Sequence, residues 1–230
     1  MKMFDVSRIT IMRDLKTLQE SNLIHKIHGG AKLSDSFAGI EQRFNIRIRI
    51  NYDLKRQIAC KAIEYFNSNG TFFLDSSTTS YIIARELLNH PLKNVTIITN
   101  SVPLLNLFAE NPQFRVISTG GELDPEYNML SGIVTSLFLN NVNIDAAFIS
   151  CGGISVNFNL TTSNPNLADM LRKLIQQTGE INLIADSTKI FKPELINVAK
   201  LNKCTRLITD SNLPDPTYQT LLSSGIPIIR

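Results

Sequence analysis

Short apolar runs that stop at small polar residues recur along most of this 230-residue chain. Thr71–Leu74 leads into Asp75-Ser76-Ser77-Thr78-Thr79, Val95–Ile98 into Thr99-Asn100-Ser101, and Phe114–Ser118 into Thr119-Gly120-Gly121. Ala146–Ile149 leads into Ser150-Cys151-Gly152-Gly153, Ile181–Ala185 into Asp186-Ser187-Thr188-Lys189, and Thr205–Ile208 into Thr209-Asp210-Ser211. Amphipathic stretches fall between them. A helix is predicted over about Leu54–Asn67, with Ile58, Ala62 and Phe66 in one stripe and a stop at Asn69-Gly70, and another over Tyr81–Leu88. Apolar strands alternating with helices predict an α/β fold in which helices cover both faces of a parallel sheet. In such sheets the loops leaving the strands' carboxyl ends share one rim, and ligands bind there where the strand order reverses.

The first 33 residues follow a different pattern. Ile11, Leu15 and Leu18 fall on one side of a helical wheel, and Thr10, Arg13, Lys16 and Thr17 on the other. Ser7 is placed to cap this helix and Asn22 lies near its end. Leu23–Ile27 alternates as a strand, and Gly29-Gly30 supplies a turn. Charge sharpens the picture. Residues 1–33 hold six Lys or Arg against three acids, whereas the other 17 bases and 17 acids cancel, so the formal charge of +3 sits on this segment. A basic patch on a neutral body is a footprint for a polyanion, and Ser7, Arg8, Thr10, Arg13, Lys16, Lys26 and His28 are the candidate DNA contacts. The same pattern also suits a charged surface helix and hairpin at the edge of another domain. The expected organisation is a partial winged helix-turn-helix over 1–33, a linker over 34–54 carrying Arg43, Arg47 and Arg49, and an α/β domain over 55–230.

On the rim, free N–H groups at a helix start beside the hydroxyls of Ser76, Ser77, Thr78 and Thr79 make a cradle for a phosphate, although the same residues equally serve as plain caps. Lys189 supplies a candidate cation, and Asp75, Asn100, Asp145 and Asp186 are candidate polar contacts. Gly120, Gly121, Gly152 and Gly153 offer close backbone approach, or ordinary turns. Asp145 precedes its strand, so it either faces the cleft or starts the strand.

Several classes of function drop out. Neither Gly-x-x-x-x-Gly-Lys-Ser/Thr nor Gly-x-Gly-x-x-Gly occurs, so ATP and NAD are not expected and no cofactor is called for. Cys60, Cys151 and Cys204 are widely spaced, which argues against a disulfide framework or zinc site. The three histidines include two in the hairpin region, so no histidine-based catalytic or metal site is expected in the body. No apolar stretch approaches bilayer length, and charges at Lys2, Asp5 and Arg8 oppose a signal peptide. A cytoplasmic protein without membrane contact is expected.

Val6-Ser7, Thr10-Ile11, Arg13-Asp14-Leu15, Leu18 and His28-Gly29-Gly30-Ala31 resemble the DNA-binding signature of the DeoR family of bacterial transcriptional regulators. Asp75-Ser-x-Thr-Thr79, Thr99-Asn100-Ser101, Gly120-Gly121, Asp145-x-Ala147-Phe148, Gly153-Ile154, Asp186-Ser187-x-Lys189 and Thr209-Asp210 are similar to that family's effector domain. The resemblance implies a sensor domain like ribose-5-phosphate isomerase in fold, a phosphorylated sugar as effector, double-stranded DNA as partner and a homo-oligomer as working form. A repressor of sugar-metabolism genes is the corresponding expectation. The family usually carries a helix ahead of the residue that is Met1 here, so Ile11, Leu15 and Leu18 are expected to lack part of their packing partner. The chain also departs from the family, with Ser77 and Asn159 at usual glycine positions and Ala168-Asp-Met-Leu171 in place of Ala-Glu-Val-Lys.

Two other readings stay open: an isomerase on the same fold, and a sugar-phosphate sensor without DNA binding. Isomerisation needs a base and an acid cluster beyond strand 146–149. Here Ser150-Cys151-Gly152-Gly153 follows, with no second acid and no lysine, so no enzyme is expected.

Overall fold

The computed structural model describes residues 8–20, 24–27, 30–33 and 38–230. The chain divides into two compact units, Met1–Arg47 and Ile48–Arg230. In the first, helix α1 (Arg8–Glu20) precedes strands β1 (Ile24–Ile27) and β2 (Gly30–Leu33), which pair antiparallel with Ile24 opposite Leu33 and Ile27 opposite Gly30. This is the helix-then-hairpin order that the sequence predicts. Ile11 and Leu15 are half-buried, while Arg13, Asp14, Lys16 and Thr17 are exposed, as the wheel requires. Helix α2 (Ala38–Arg49) follows, so much of the stretch expected as a linker is helical.

In the second unit, helix α3 spans Tyr52–Ala62, followed by a tight turn at Ile63–Tyr65. Thereafter come β3 (Thr71–Leu74), α4 (Thr78–Leu87), β4 (Thr96–Thr99), α5 (Val102–Ala109), β5 (Arg115–Ser118), β6 (Glu122–Asp124) and β7 (Met129–Ser131). The chain continues through α6 (Ile133–Leu139), β8 (Ala146–Ile149), β9 (Gly153–Ile154), β10 (Asn159–Thr162), α7 (Pro165–Gln177), β11 (Glu180–Ile184), β12 (Ile196–Lys200), β13 (Arg206–Ile208), α8 (Asp215–Leu222) and β14 (Ile228–Ile229). Seven strands form a parallel sheet in the order β14-β13-β11-β8-β3-β4-β5. From β3 the chain first builds outward through β4 and β5, then returns to the other side of β3 with β8. The switch point is therefore the crevice between the carboxyl ends of β3 and β8.

Alternation sends neighbouring side chains to opposite faces. Phe72, Leu74, Ala146 and Phe148 enter the layer beneath α3, α4 and α5, and Phe73, Ala147 and Ile149 enter the layer that receives α7 and α8. Burial on both faces is why these strands read as unbroken apolar runs. The sequence-predicted strands 71–74 and 146–149 match β3 and β8, and the neighbouring predicted strands shift at their ends. The helix predicted over 54–67 stops being regular after Ala62. Phe66 turns extended and its ring stacks on Phe148 at 4.3 Å between centroids, so packing against the sheet outweighs continuation of the helix. Helix α4 begins three residues before the predicted Tyr81, because Ser77 caps it with its hydroxyl accepting from Ser80 N at 3.1 Å. Of the family departures, Ser77 thus has a role of its own, and Leu171 is fully buried in the core.

No helix among the described residues is long and apolar enough to cross a membrane, and no cluster there is suited to hold a metal ion. Burial pushes the Cys151 thiol up to about 11, against the opposing pull of Lys189, and burial pushes Cys204 up to about 12. A raised thiol pKa keeps the proton in the fold after the unfolded thiol has lost it. The two cysteines therefore reduce stability as pH rises above the ordinary thiol value of 9.0. We expect exposed Cys60 to react with a thiol reagent at neutral pH while Cys151 and Cys204 react only after unfolding. Mass-spectrometric mapping of the alkylated sites checks this, and equal labelling of all three in the folded chain contradicts it.

Candidate functional site

The switch point is built around Asp75, the first residue beyond β3 and 2% exposed. Its Oδ1 accepts from Ser77 N at 3.0 Å and from Ser80 Oγ at 2.6 Å, and its Oδ2 accepts from Ser150 N at 2.6 Å. The carboxylate thus ties the turn into α4 to the end of β8. The acceptor capacity that suggested ligand contact is largely engaged within the fold. Ser77 Oγ is occupied as the cap, and Ser80 N and Tyr81 N are satisfied. In a helix's first turn the N–H groups have no intrahelical acceptor, which leaves those of Thr78 and Thr79 as donors at the crevice. Ser76 and Thr79 are buried beside them and Thr78 is half-buried.

Lys189 comes to the same crevice from beyond β11. Its Nζ donates to Ser150 Oγ at 2.9 Å and to Cys151 O at 2.8 Å, and it makes no ion pair with any carboxylate among the described residues. Its turn is held by two aspartates. Asp186 Oδ1 accepts from Thr188 N at 3.1 Å and from Thr188 Oγ1, and Asp210 accepts from Ser187 N at 2.6 Å and from Ser187 Oγ at 2.9 Å. Asp186 therefore spends one oxygen as a cap. Asp210, 0% exposed, is a support that the sequence reading left out of its site, although Thr209-Asp210 stood among the motifs.

The other side of the crevice is β4. Asn100, 0% exposed, donates through Nδ2 to Leu130 O at 3.1 Å, and its Oδ1 has no hydrogen-bond partner among the described residues. Leu130 belongs to the β6–β7 hairpin, which the sequence reading missed. That hairpin also meets Asn164, whose Nδ2 donates to Asp124 Oδ2 at 2.8 Å, and Ser163, whose Oγ is 3.2 Å from Tyr127 Oη.

The remaining candidates have internal duties. Gly121 has φ +121° and approaches so closely that an added Cβ would lie 2.3 Å from Ser131 O. Gly120 O accepts from Thr135 Oγ1 at 2.6 Å. Gly152 N donates to Thr161 O at 2.8 Å, and a Cβ on Gly153 would lie 1.8 Å from Lys192 O. These glycines allow the fold's own backbone segments to meet. Asp145 does not reach the rim. Its Oδ2 accepts from Thr71 N at 2.7 Å at the amino ends of β3 and β8, a strand length of roughly 13 Å from Ser150. It starts the strand, the second of the two roles that the sequence allowed. A separate open groove of about 430 Å³ is lined by Asp53, Arg56, Gln57, Cys60 and Lys61 on α3. Burial lowers the pKa of Lys61, against the opposing effects of Asp210 and Glu64.

Of the DNA-contact candidates, Ser7 and His28 lie outside the described residues, and Arg8, Thr10 and Lys26 are placed only as backbone of α1 and β1. Arg13 and Lys16 stand on the exposed side of α1.

Comparison with known proteins matches residues 50–211 to the DeoR C-terminal sensor domain and residues 1–37 to the DeoR-like helix-turn-helix domain. The L-fucose operon activator of Haemophilus influenzae is 34% identical over 211 residues, 92% of this chain and 83% of that protein. The glycerol-3-phosphate regulon repressor of Escherichia coli is 29% identical over 225 residues, 98% of this chain and 88% of that protein. Among solved structures, a chain of the tetrameric eIF2B-β2-δ2 complex from C. thermophilum superposes with a TM-score of 0.52 at 11% identity. That match covers 75% of this chain and 59% of the other, and shows a shared fold alone. The chain belongs to the DeoR family of transcriptional regulators, joining a DNA-binding helix-turn-helix to a sensor domain, and it is a regulator rather than an enzyme.

Proposed function

We propose that the sensor domain binds a phosphorylated sugar at the crevice between β3 and β8, and that its occupancy governs repression of sugar-metabolism genes through residues 1–33. The observation that carries this reading is that Lys189 and the turn into α4 are both tied to Ser150, at the end of β8. An ammonium without a carboxylate partner among the described residues stands over the end of β8, where Asp75 also ties the turn whose Thr78 and Thr79 N–H groups remain as donors. Helix N-termini and cations both favour a phosphate. Asp75 does not undo this preference, because Ser77 N, Ser80 Oγ and Ser150 N engage both of its oxygens, and Asp186 Oδ1 is engaged by Thr188. The names of two relatives, one for an L-fucose operon and one for a glycerol-3-phosphate regulon, support a small hydroxylated metabolite as the signal. The division into 1–33, 34–54 and 55–230 stays our proposal for how the reading head, connector and sensor share the chain. Within it, the helical 38–49 stretch serves the connector.

Two experiments test this reading. A thermal-shift panel of three- to six-carbon sugars with and without phosphate should show stabilisation by phosphorylated members, about 2.7 kcal/mol at a hundred times the dissociation constant. Lys189→Ala should weaken the phosphorylated ligand by about 10- to 100-fold and leave its unphosphorylated analogue nearly unchanged. Equal losses for both would sink the phosphate assignment. For the reading head, DNA affinity should fall steeply with salt, and Arg13→Ala should reduce the log-log slope by about one if that side chain holds a phosphate. Fluorescence anisotropy across a salt series measures it. An unchanged slope and unchanged affinity would remove Arg13 from the DNA contacts.

A further inference from the structure

The β6–β7 hairpin stands across the switch point on two feet. One foot is the end of β4, where Leu130 N donates to Asn100 O at 2.7 Å, Asn100 Nδ2 donates to Leu130 O at 3.1 Å and Val102 N donates to Asn128 O at 3.0 Å. The other foot is Ser163 and Asn164, just beyond β10. Strand β10 is itself pinned beside the end of β8, because Gly152 N donates to Thr161 O at 2.8 Å and Thr161 Oγ1 donates to Gly153 O at 2.8 Å. Since β3 lies between β4 and β8 in the sheet, a hairpin anchored on both sides spans the carboxyl end of β3. That end carries the phosphate cradle.

The hairpin is built unevenly. Its β7 arm buries Met129 and Ser131, whereas Glu122, Leu123, Pro125 and Glu126 on the β6 arm and turn are exposed; it pairs with no strand of the main sheet, and it reaches Ser163 and Asn164 through side-chain contacts. The exposed β6 arm and turn, with few buried contacts, open at low cost while the β7 arm stays seated. Beneath the near foot lies Asn100 Oδ1, buried and without a partner among the described residues. A buried acceptor left unpaired destabilises the state that contains it.

We infer that the hairpin 122–131 is the part of the sensor that registers occupancy, with a ligand hydroxyl completing Asn100 Oδ1 and thereby tightening the hairpin over the site. The inference rests on the sugar-phosphate reading and adds to it a second requirement on the ligand. A phosphate alone fills the cradle, but only a phosphate carrying a hydroxyl about one strand spacing away, roughly 5 Å, engages Asn100. A bare anion and a hydroxylated phosphate ester then bind at the same place and differ in what the hairpin does.

Hydrogen exchange followed by mass spectrometry on the full chain distinguishes these, with inorganic phosphate, glycerol 3-phosphate, ribose 5-phosphate and fructose 1-phosphate as probes. At equal saturation, a bound hydroxylated probe should slow exchange in 122–131 by about tenfold more than inorganic phosphate does. Asn100→Ala should abolish that difference while keeping the protection of residues 76–80. Because Asn100→Ala removes a buried side chain, Asn164→Asp provides an independent arm. It retains the oxygen that caps α7 by accepting from Leu167 N, and replaces the amide donor to Asp124 with a like charge. It should speed hairpin exchange in the ligand-free chain and leave exchange in the parallel sheet unchanged. Unaltered exchange in 122–131 when a hydroxylated probe is bound overturns the inference, as does equal slowing in wild type and Asn100→Ala. Protection of 76–80 without a hairpin response would overturn the cover and leave the cradle standing. Failure of every probe to bind would overturn both.

Discussion

The carboxylate of Asp75 is the interaction on which the sensor's geometry depends. It is buried at the point where the sheet changes direction, and it accepts from Ser77 N and Ser80 Oγ on one side and from Ser150 N on the other. A buried charge is tolerable only where donors surround it. Asp75 therefore requires the turn into α4 and the end of β8 to come together, and their meeting defines the crevice. Lys189 then completes the arrangement by donating to Cys151 O and to the Oγ of Ser150, the residue whose N–H Asp75 holds. Asp210 performs the same service for Ser187 one turn before Lys189. The aspartates along this rim act mainly as internal acceptors, which leaves hydroxyls, N–H groups and an ammonium to face a ligand.

Such a site suits a sensor better than a catalyst. It offers donors and a cation, while the acids are engaged in holding turns. Proton transfer at carbon needs a base free to change its protonation state at the substrate, and the acid cluster expected of an isomerase does not follow β8. The family assignment and the chemistry of the rim agree on this point.

How much was legible in the sequence follows from where burial is two-sided. The strands β3 and β8, with Phe72, Phe73, Ala147 and Phe148 covered on both faces, announce themselves as apolar runs ending in polar residues. Helix α1 and its hairpin are equally legible, because a wheel and a Gly-Gly turn are local signals. The start of α4 was not, since Thr78, Thr79 and Ser80 carry no apolar periodicity, and only the cap made by Ser77 places them in a helix. Strands β6 and β7 are three residues each, β6 mostly exposed and β7 burying Met129 and Ser131, so each is too short for alternation or burial to mark it in the sequence. Their importance comes from tertiary ties through Asn100 and Asn164. Asp145 could have been excluded at once, because only residues leaving a parallel strand reach the carboxyl rim, and Asp145 enters one. The glycines read in the sequence as close approach to a ligand or as ordinary turns. Close approach is real at Gly121 and Gly153, but the approaching groups are Ser131 O and Lys192 O.

The central claim is that a phosphorylated sugar lies at the β3–β8 switch point. A crystal structure of the protein with a phosphorylated sugar that stabilises it tests this most directly. The account predicts the phosphate within hydrogen-bond distance of the Thr78 and Thr79 N–H groups and of Lys189 Nζ. A phosphate bound instead in the groove beside Arg56 and Lys61, with the switch point empty, would contradict it.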